Sequence, residues 1–412
     1  MTRPRRSAKI GAWGRNAVKA RHRKPNVLDA ATRLLADLVA IPSVNPMGRT
    51  MSGPGLLEGE MSDYLADWFG KLGVVARRRP LAPGRDNVIA RYDAPDSRRT
   101  VLFDAHQDTV PTDGMVIDPF RPDVIGGRLH GRGSCDVKGG MAAMLLAFAR
   151  LVRERPRGSA SVVMACTVDE EYTHIGSSDL ASDPGVADLG IVAEPTRLDL
   201  VDRHKGAVRW KIVARGLACH SSTPRLGRNA IYRMADVIAQ LAGYARGLDD
   251  ARPDPVLGPP SLSVGRIEGG VSVNVVPDHC EIEIDRRAIP GEILDDLPEA
   301  VYAYLRERLG NMPDIEFLPP WVRMPPLAPT KASVEVWLEP VRRAIERTIG
   351  RNPSVGGVPY GTDAGPLSRA GLPCFVFGPG DIAQAHTVDE WIEIDQVRLA
   401  AEAYYRIACD VG

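Results

Sequence analysis

The sequence predicts an α/β protein with a mixed, mostly parallel sheet and helices on both faces, into which a small α+β domain of ferredoxin-like order is inserted. Three observations predict it. Apolar runs at 100–105, 160–168, 190–193 and 374–377 are continuous rather than alternating, as strands covered on both faces are. Stretches of helical periodicity separate them. The segment 207–318 reads β-α-β-β-α-β, a complete ferredoxin-like unit within the longer chain.

The elements follow in order. Val27–Ile41 carries apolar residues at helical spacing and stops at Pro42; Met61–Leu72 is a second amphipathic stretch, followed by Gly73. Strand 100–105 precedes an Ala-, Met- and Leu-rich helix at 141–152, and strands at 160–168 and 190–193 complete this part. In the insertion, Val208, Trp210, Ile212 and Ala214 alternate as a half-buried strand does. A helix at 230–245, strands at 262–267 and 280–285, a helix at 292–309 and a short strand at 315–318 follow. The Pro-rich stretch 319–329 reads as a return linker. Helix 334–349, strand 374–377 and helix 394–409 close the chain. The expected division is a leader at 1–26, a first core part at 27–205, the insertion at 206–320 and a second core part at 321–412.

Composition bounds the function. The 412 residues hold 52 basic and 52 acidic side chains, 44% apolar and 25% charged, which is ordinary globular usage. No run of about 18 apolar residues exists, so no membrane helix is expected. Six dispersed cysteines without a CxxC pair suggest neither a disulfide framework nor a zinc ribbon, and fit a reducing cytoplasm. The charge is uneven: residues 1–25 carry nine Lys or Arg and no acid, which leaves the remainder at net −9. The leader lacks the apolar segment of an export signal and reads as a disordered extension. Nucleic acid is not expected as a partner.

Five polar clusters stand at the ends of apolar runs, where ligands collect in open α/β sheets. They are His106-Gln107-Asp108, Gly131 to Gly140 with Asp136 before a helix, Asp169-Glu170-Glu171, Glu194-Pro195-Thr196, and Ala385 to Glu390 with His386. Singly, each also reads as a surface histidine, a capped turn or a solvated acidic loop. Three consecutive acids behind a buried strand repel unless a cation sits among them. Glu170 and Glu171 point different ways, so one can ligate while the other acts as a base. Together, two histidines and several carboxylates make a hard-oxygen and imidazole set that suits a two-metal hydrolytic centre.

The pattern HxD, GRGxxDxKG, DEE, EPT and AHTVDE resembles the co-catalytic di-zinc amidohydrolase and peptidase family. That family includes acetylornithine deacetylase, succinyl-diaminopimelate desuccinylase, glutamate carboxypeptidase and aminoacylase. The resemblance runs from about residue 34 to the C-terminus. It implies a zinc-exopeptidase-like catalytic domain and a lid and dimerisation domain. It also implies two Zn2+, with Co2+ or Mn2+ able to substitute. His106, Asp136 and Glu194 would hold one ion, and Asp136, Glu171 and His386 the other. Asp108 would orient His106, and Glu170 would be the general base. The Asp136–Val137 peptide would be cis. In the insertion, Gly216 to Pro224 resembles the family's lid motif, which gives His220 the oxyanion role. Asn274 and Arg287 would bind the substrate carboxylate, with Arg286 competing for the latter place. Thr362 and Gly378 would lie in substrate-lining loops. His22, His130, His174, His204 and His279 read as surface or internally satisfied histidines.

The expected activity is hydrolysis of the amide bond of an N-acyl amino acid or small peptide with a free carboxylate, by a homodimer. The alternatives are a glutamate carboxypeptidase- or dipeptidase-like exopeptidase and, in another class, a catalytically silent binding protein on the same scaffold. The complete ligand set with Glu170 argues against the silent protein.

Overall fold

In the computed structural model, residues 29–183, 185–250 and 253–412 are described. The basic leader lies outside them, as do Val27 and Leu28 of the first predicted helix, which is seen as Ala30–Val39. Asp29 caps that helix, its carboxylate accepting from the amides of Ala31 and Thr32 at 3.0 and 3.3 Å, a contact worth about 1 kcal/mol.

The central sheet has eight strands in the order Ala76–Ala82, Arg85–Tyr92, Ser161–Thr167, Thr100–His106, Leu189–Val192, Cys374–Val376, Leu200–His204 and Val355–Val358. Four of its seven neighbour pairings are parallel, so the mixed, mostly parallel prediction is correct. The Ser161–Thr167 strand is buried at every position, as its unbroken apolar run requires. Helices Gly139–Glu154 and Ile394–Asp410 pack on one face, where Phe103, Phe377 and Tyr404 stack edge to face or tilted. Helix Ala364–Arg369 covers the other with Leu367 against Val192, Val201 and Val376.

The edge hairpin Ala76–Ala82 and Arg85–Tyr92 has no counterpart in the sequence reading. Its outer strand, with Arg77, Arg78, Arg79 and Pro80, has the charged and proline-bearing composition that protects an edge from further pairing, not the apolar signature of a strand.

The insertion forms a separate antiparallel sheet in the order Ser261–Gly269, His279–Ala288, Gly206–Arg215 and Ile315–Phe317. Its helices, Ala230–Asp249 and Asp296–Leu309, cover one face. The Pro-rich stretch is more than a linker. Its residues Val322–Met324 add a short strand to Gly206–Arg215, so the chain stays on the lid sheet until Met324 before it returns.

Candidate metal centre

The parallel strands of the central sheet all end at one rim, and the polar clusters gather there. His106 is the last residue of Thr100–His106. Glu170 and Glu171 follow Ser161–Thr167, and Glu194 follows Leu189–Val192. Asp136 lies in the turn Ser134–Lys138 ahead of the Gly139–Glu154 helix, and His386 in the loop after Cys374–Val376. The Asp136–Val137 peptide is cis. Gly133 turns the chain into this segment at φ 81°, and a Cβ there would meet Thr109 Cγ2 at 2.6 Å.

Asp136 is the shared member. Its Oδ1 lies 3.1 Å from Nε2 of His106, and its Oδ2 lies 3.3 Å from Nε2 of His386. His386 Nε2 is also 3.2 Å from Oε2 of Glu171. The donor atoms of His106, Asp136 and Glu194 fall within 4.8 Å of one another, and so do those of Asp136, Glu171 and His386. Two imidazoles and three carboxylates in this arrangement are a donor set for borderline divalent cations.

The local electrostatics call for such cations. Glu171 Oε1 is buried without a hydrogen-bond partner. Burial, reinforced by neighbouring acids, pushes the carboxyls of Glu170 and Glu194 well above their ordinary range. A buried cluster of like charges is stable in ionised form only when positive charge sits within it.

Supporting residues hold the rim in place. The backbone carbonyl of Asp108 stands 3.0 Å from His106 Nδ1, whereas its carboxylate is 3.6 Å away. Both the carbonyl and the carboxylate of Asp108 thus face the Nδ1 edge of the ring, the carbonyl more closely. The Asp108 carboxylate instead accepts the amides of Glu170 and Glu171, both at 3.1 Å, and Nδ2 of Asn45 at 2.8 Å. Glu390, buried, accepts the amides of Gly133, Cys135 and Asp136 at 2.9–3.1 Å and pairs with Arg132 at 2.6 Å. Three non-glycine residues near the centre, Asp169, His174 and His386, are held at φ of 63, 58 and 61°. Such conformations cluster at functional sites.

A cavity of about 290 Å³ opens beside the centre. Asp136, Glu170, Glu171, Glu194 and His386 line it from the rim, and Arg209 and Arg287 from the lid. Arg286 does not reach it: that side chain is buried on the other side of the lid sheet and pairs with Glu292 at 2.5 Å. Of the two competing arginines, therefore, Arg287 stands at the site.

Four of the expected substrate-side residues do not line it. Thr362 is fully buried, and its hydroxyl accepts the amide of Ala364 at 3.1 Å; Tyr360 and Gly361, just before it, line the cavity instead. Gly378 is also buried. Its amide and carbonyl are both engaged by Thr196, and a Cβ there would meet the carbonyl oxygen of Glu194 at 2.6 Å. Gly378 thus packs directly against the backbone of Glu194. His220 and Asn274 sit together on an exposed two-stranded ribbon, Cys219–His220 with Val275–Val276, outside the cavity. The Nδ1 of His220 is 2.7 Å from the hydroxyl of Ser222.

The sequence reading also set aside a histidine that the fold brings in. His174 lines the cavity, its Nδ1 3.1 Å from Asp363 and 3.8 Å from Glu170. No motif marks it; only its position three residues past the DEE cluster could have drawn attention. Arg209 was missed for a similar reason. Its one signal is the strand phase opposite to Trp210.

Residues 102–410 match peptidase family M20/M25/M40. The chain belongs to that family. As an M20 protein it is a metal-dependent hydrolase of amide bonds. It is 30% identical over 377 residues to an acetylornithine deacetylase of Pectobacterium carotovorum, covering 89% of this chain and 93% of the relative. It is 32% identical over 315 residues to an acetylornithine deacetylase of Myxococcus xanthus, covering 76% and 80%. Among solved structures, an M20 family metallo-carboxypeptidase from Sulfolobus solfataricus aligns with a TM-score of 0.76 at 20% identity, over 93% of this chain and 99% of that one. This last likeness shows the M20 fold. No helix among the described residues is long and apolar enough to cross a membrane.

Proposed function

We propose that this M20 protein removes the acyl group from N-acyl amino acids, as a di-zinc deacylase with Glu170 as general base. One observation carries the reading: two donor triads share Asp136, and Glu170, which belongs to neither, lines the same cavity. His106, Asp136 and Glu194 would hold one ion, and Asp136, Glu171 and His386 the other; Co2+ or Mn2+ would suit the same donors. When bound, such ions supply Lewis acidity toward a carbonyl and lower the pKa of water.

The protein's own residues do the rest. Glu170 takes a proton from the attacking water and returns it to the leaving amine. Burial raises its carboxyl well above the ordinary carboxylate range, which favours proton uptake by this side chain. Arg287 offers a planar fork to the substrate carboxylate. The cavity volume fits an acylated amino acid better than a long peptide.

The lid supports a homodimer. Val271 and Val273 are 89% and 99% exposed beside Tyr232, a patch that a second copy would cover. His220 and Asn274 lie next to that patch and away from their own cavity. A partner could therefore receive them, with His220 stabilising the oxyanion. All six cysteines are free thiols, which supports a reducing cytoplasm.

The test is a hydrolysis screen of N-acetyl, N-succinyl and N-formyl amino acids alongside dipeptides, with zinc- and cobalt-loaded protein. Preferred cleavage of N-acyl amino acids supports the reading. Preference for dipeptides would replace it with an exopeptidase, and no turnover of either would favour a silent scaffold.

A further inference from the structure

The lid sheet has two unlike faces. Trp210, Ile212, Ile282 and Ile284 point to the lid helices and are buried. The opposite face carries a ladder of charges from Arg209, Lys211, Glu281, Glu283, Asp285 and Arg287. Most of the ladder is satisfied within itself. Lys211 Nζ lies 2.8 Å from Glu281 and 3.2 Å from Glu283, and Glu283 also takes Arg266 at 2.9 Å.

The end at the cavity is different. Asp285, directly opposite Arg209 in the strand register, serves two guanidiniums at once. Its Oδ2 is 2.8 Å from Nε of Arg209, and its Oδ1 is 2.7 Å from Nε of Arg287. Both arginines are held by their inner edges. Among the described residues no acceptor pairs with their terminal nitrogens, and both side chains line the cavity, whereas Asp285 does not. Two positive charges share one carboxylate here, leaving one positive charge uncompensated beside the metal-site carboxylates.

We propose that Arg209 and Arg287 form a two-armed clamp for a single substrate carboxylate, with Asp285 as the residue that positions both arms. The inference rests on the deacylase reading of the cavity and makes Arg209 a determinant of specificity for substrates with a free carboxylate. One carboxylate fits the charge count. Two guanidinium forks fit its planar geometry better than one, because each oxygen can then receive paired N–H donors. A carboxamide of the same shape offers no charge and only one acceptor, so it gains little from the clamp.

The test uses one N-acetyl amino acid with a free α-carboxylate, together with its α-carboxamide. Arg209→Met is expected to raise KM for the acid by about 10- to 100-fold, the weight of a charge-assisted hydrogen bond, while kcat changes little and the carboxamide is unaffected. Arg209→Lys should recover part of the loss, because it restores charge without the fork. Equal losses on acid and amide, or no loss on the acid, would overturn the clamp. Calorimetric binding of the same pair to Glu170→Ala protein separates this from failure of the deacylase reading. Preference for the acid that disappears with Arg209→Met supports the clamp even if neither compound is turned over by the wild type. A preference that is absent, or that survives Arg209→Met, removes it.

Discussion

Glu390 holds Asp136 from the far end of the chain: its Oε1 accepts the amide of Asp136 at 3.1 Å across 254 residues of sequence. The same carboxylate takes the amides of Gly133 and Cys135 and pairs with Arg132, so a single buried side chain fixes the loop that presents the shared carboxylate. Glu390→Ala leaves Arg132 buried and unpaired, which costs about 3–5 kcal/mol. Metal affinity should also drop by roughly 10- to 100-fold, as when a supporting hydrogen bond behind a ligand is lost. Urea denaturation and metal analysis after dialysis would check both; unchanged metal retention would show that the loop holds its shape without the clamp.

Glu170 belongs to neither of the two triads that share Asp136; its carboxylate groups instead with His174 and Asp363. Glu170→Ala is therefore expected to abolish turnover while metal content stays equal to that of the wild type. Loss of metal together with activity would instead make Glu170 a ligand.

His220 stands outside its own cavity. If the partner's lid completes each site, His220→Ala and Glu170→Ala proteins, each inactive alone, should complement when mixed. Random reassortment gives heterodimers in half of the dimers with one intact site each, so about a quarter of wild-type activity should return. Absence of recovery, with subunit exchange verified, would place the oxyanion donor within one chain.

His204 offers a pH test at a group outside the candidate donor triads. It is fully buried, its Nδ1 2.9 Å from the carbonyl of Lys205, and burial lowers its pKa to about 4. The unfolded histidine titrates near 6.5, so between pH 6.5 and 4 the unfolded chain binds a proton that the folded one refuses. Stability contributed by the neutral ring is complete above pH 6.5 and falls as the pH drops through that window. At pH 5 the loss amounts to about 2 kcal/mol. His204→Asn should remove this part of the slope when unfolding free energies at pH 7 and pH 5 are compared; an identical slope in the variant would assign it elsewhere.

The five motifs were legible because metal chemistry demands residue types that rarely occur together, and because each stands where an apolar run ends. That coincidence marks the clusters, and the resemblance to the di-zinc family then picks His106, Asp136, Glu171, Glu194 and His386 within them, residues whose donor atoms the fold brings together. Their neighbours were not legible in the same way. Thr362 and Gly378 belong to matching loops, yet a loop match does not say which residue faces inward, and here Tyr360 and Gly361 do. Arg286 and Arg287 are adjacent and alike in composition; strand alternation sends one to Glu292 and the other to the cavity. The hairpin at 76–92 escaped because a charged edge strand does not read as a buried one.

By itself the sequence determined the α/β class, the inserted β-α-β-β-α-β unit and the polar clusters that supply the candidate metal donors, because periodicity and residue chemistry are local properties. The tertiary structure decided which side chains share a space. It set His174 against Asp363 across 189 residues, joined Arg209 to Arg287 through Asp285, and left His220 outside its own cavity. Such juxtapositions depend on strand order, register and the docking of the lid over the sheet, which arise from long-range packing and leave no periodic trace in the chain.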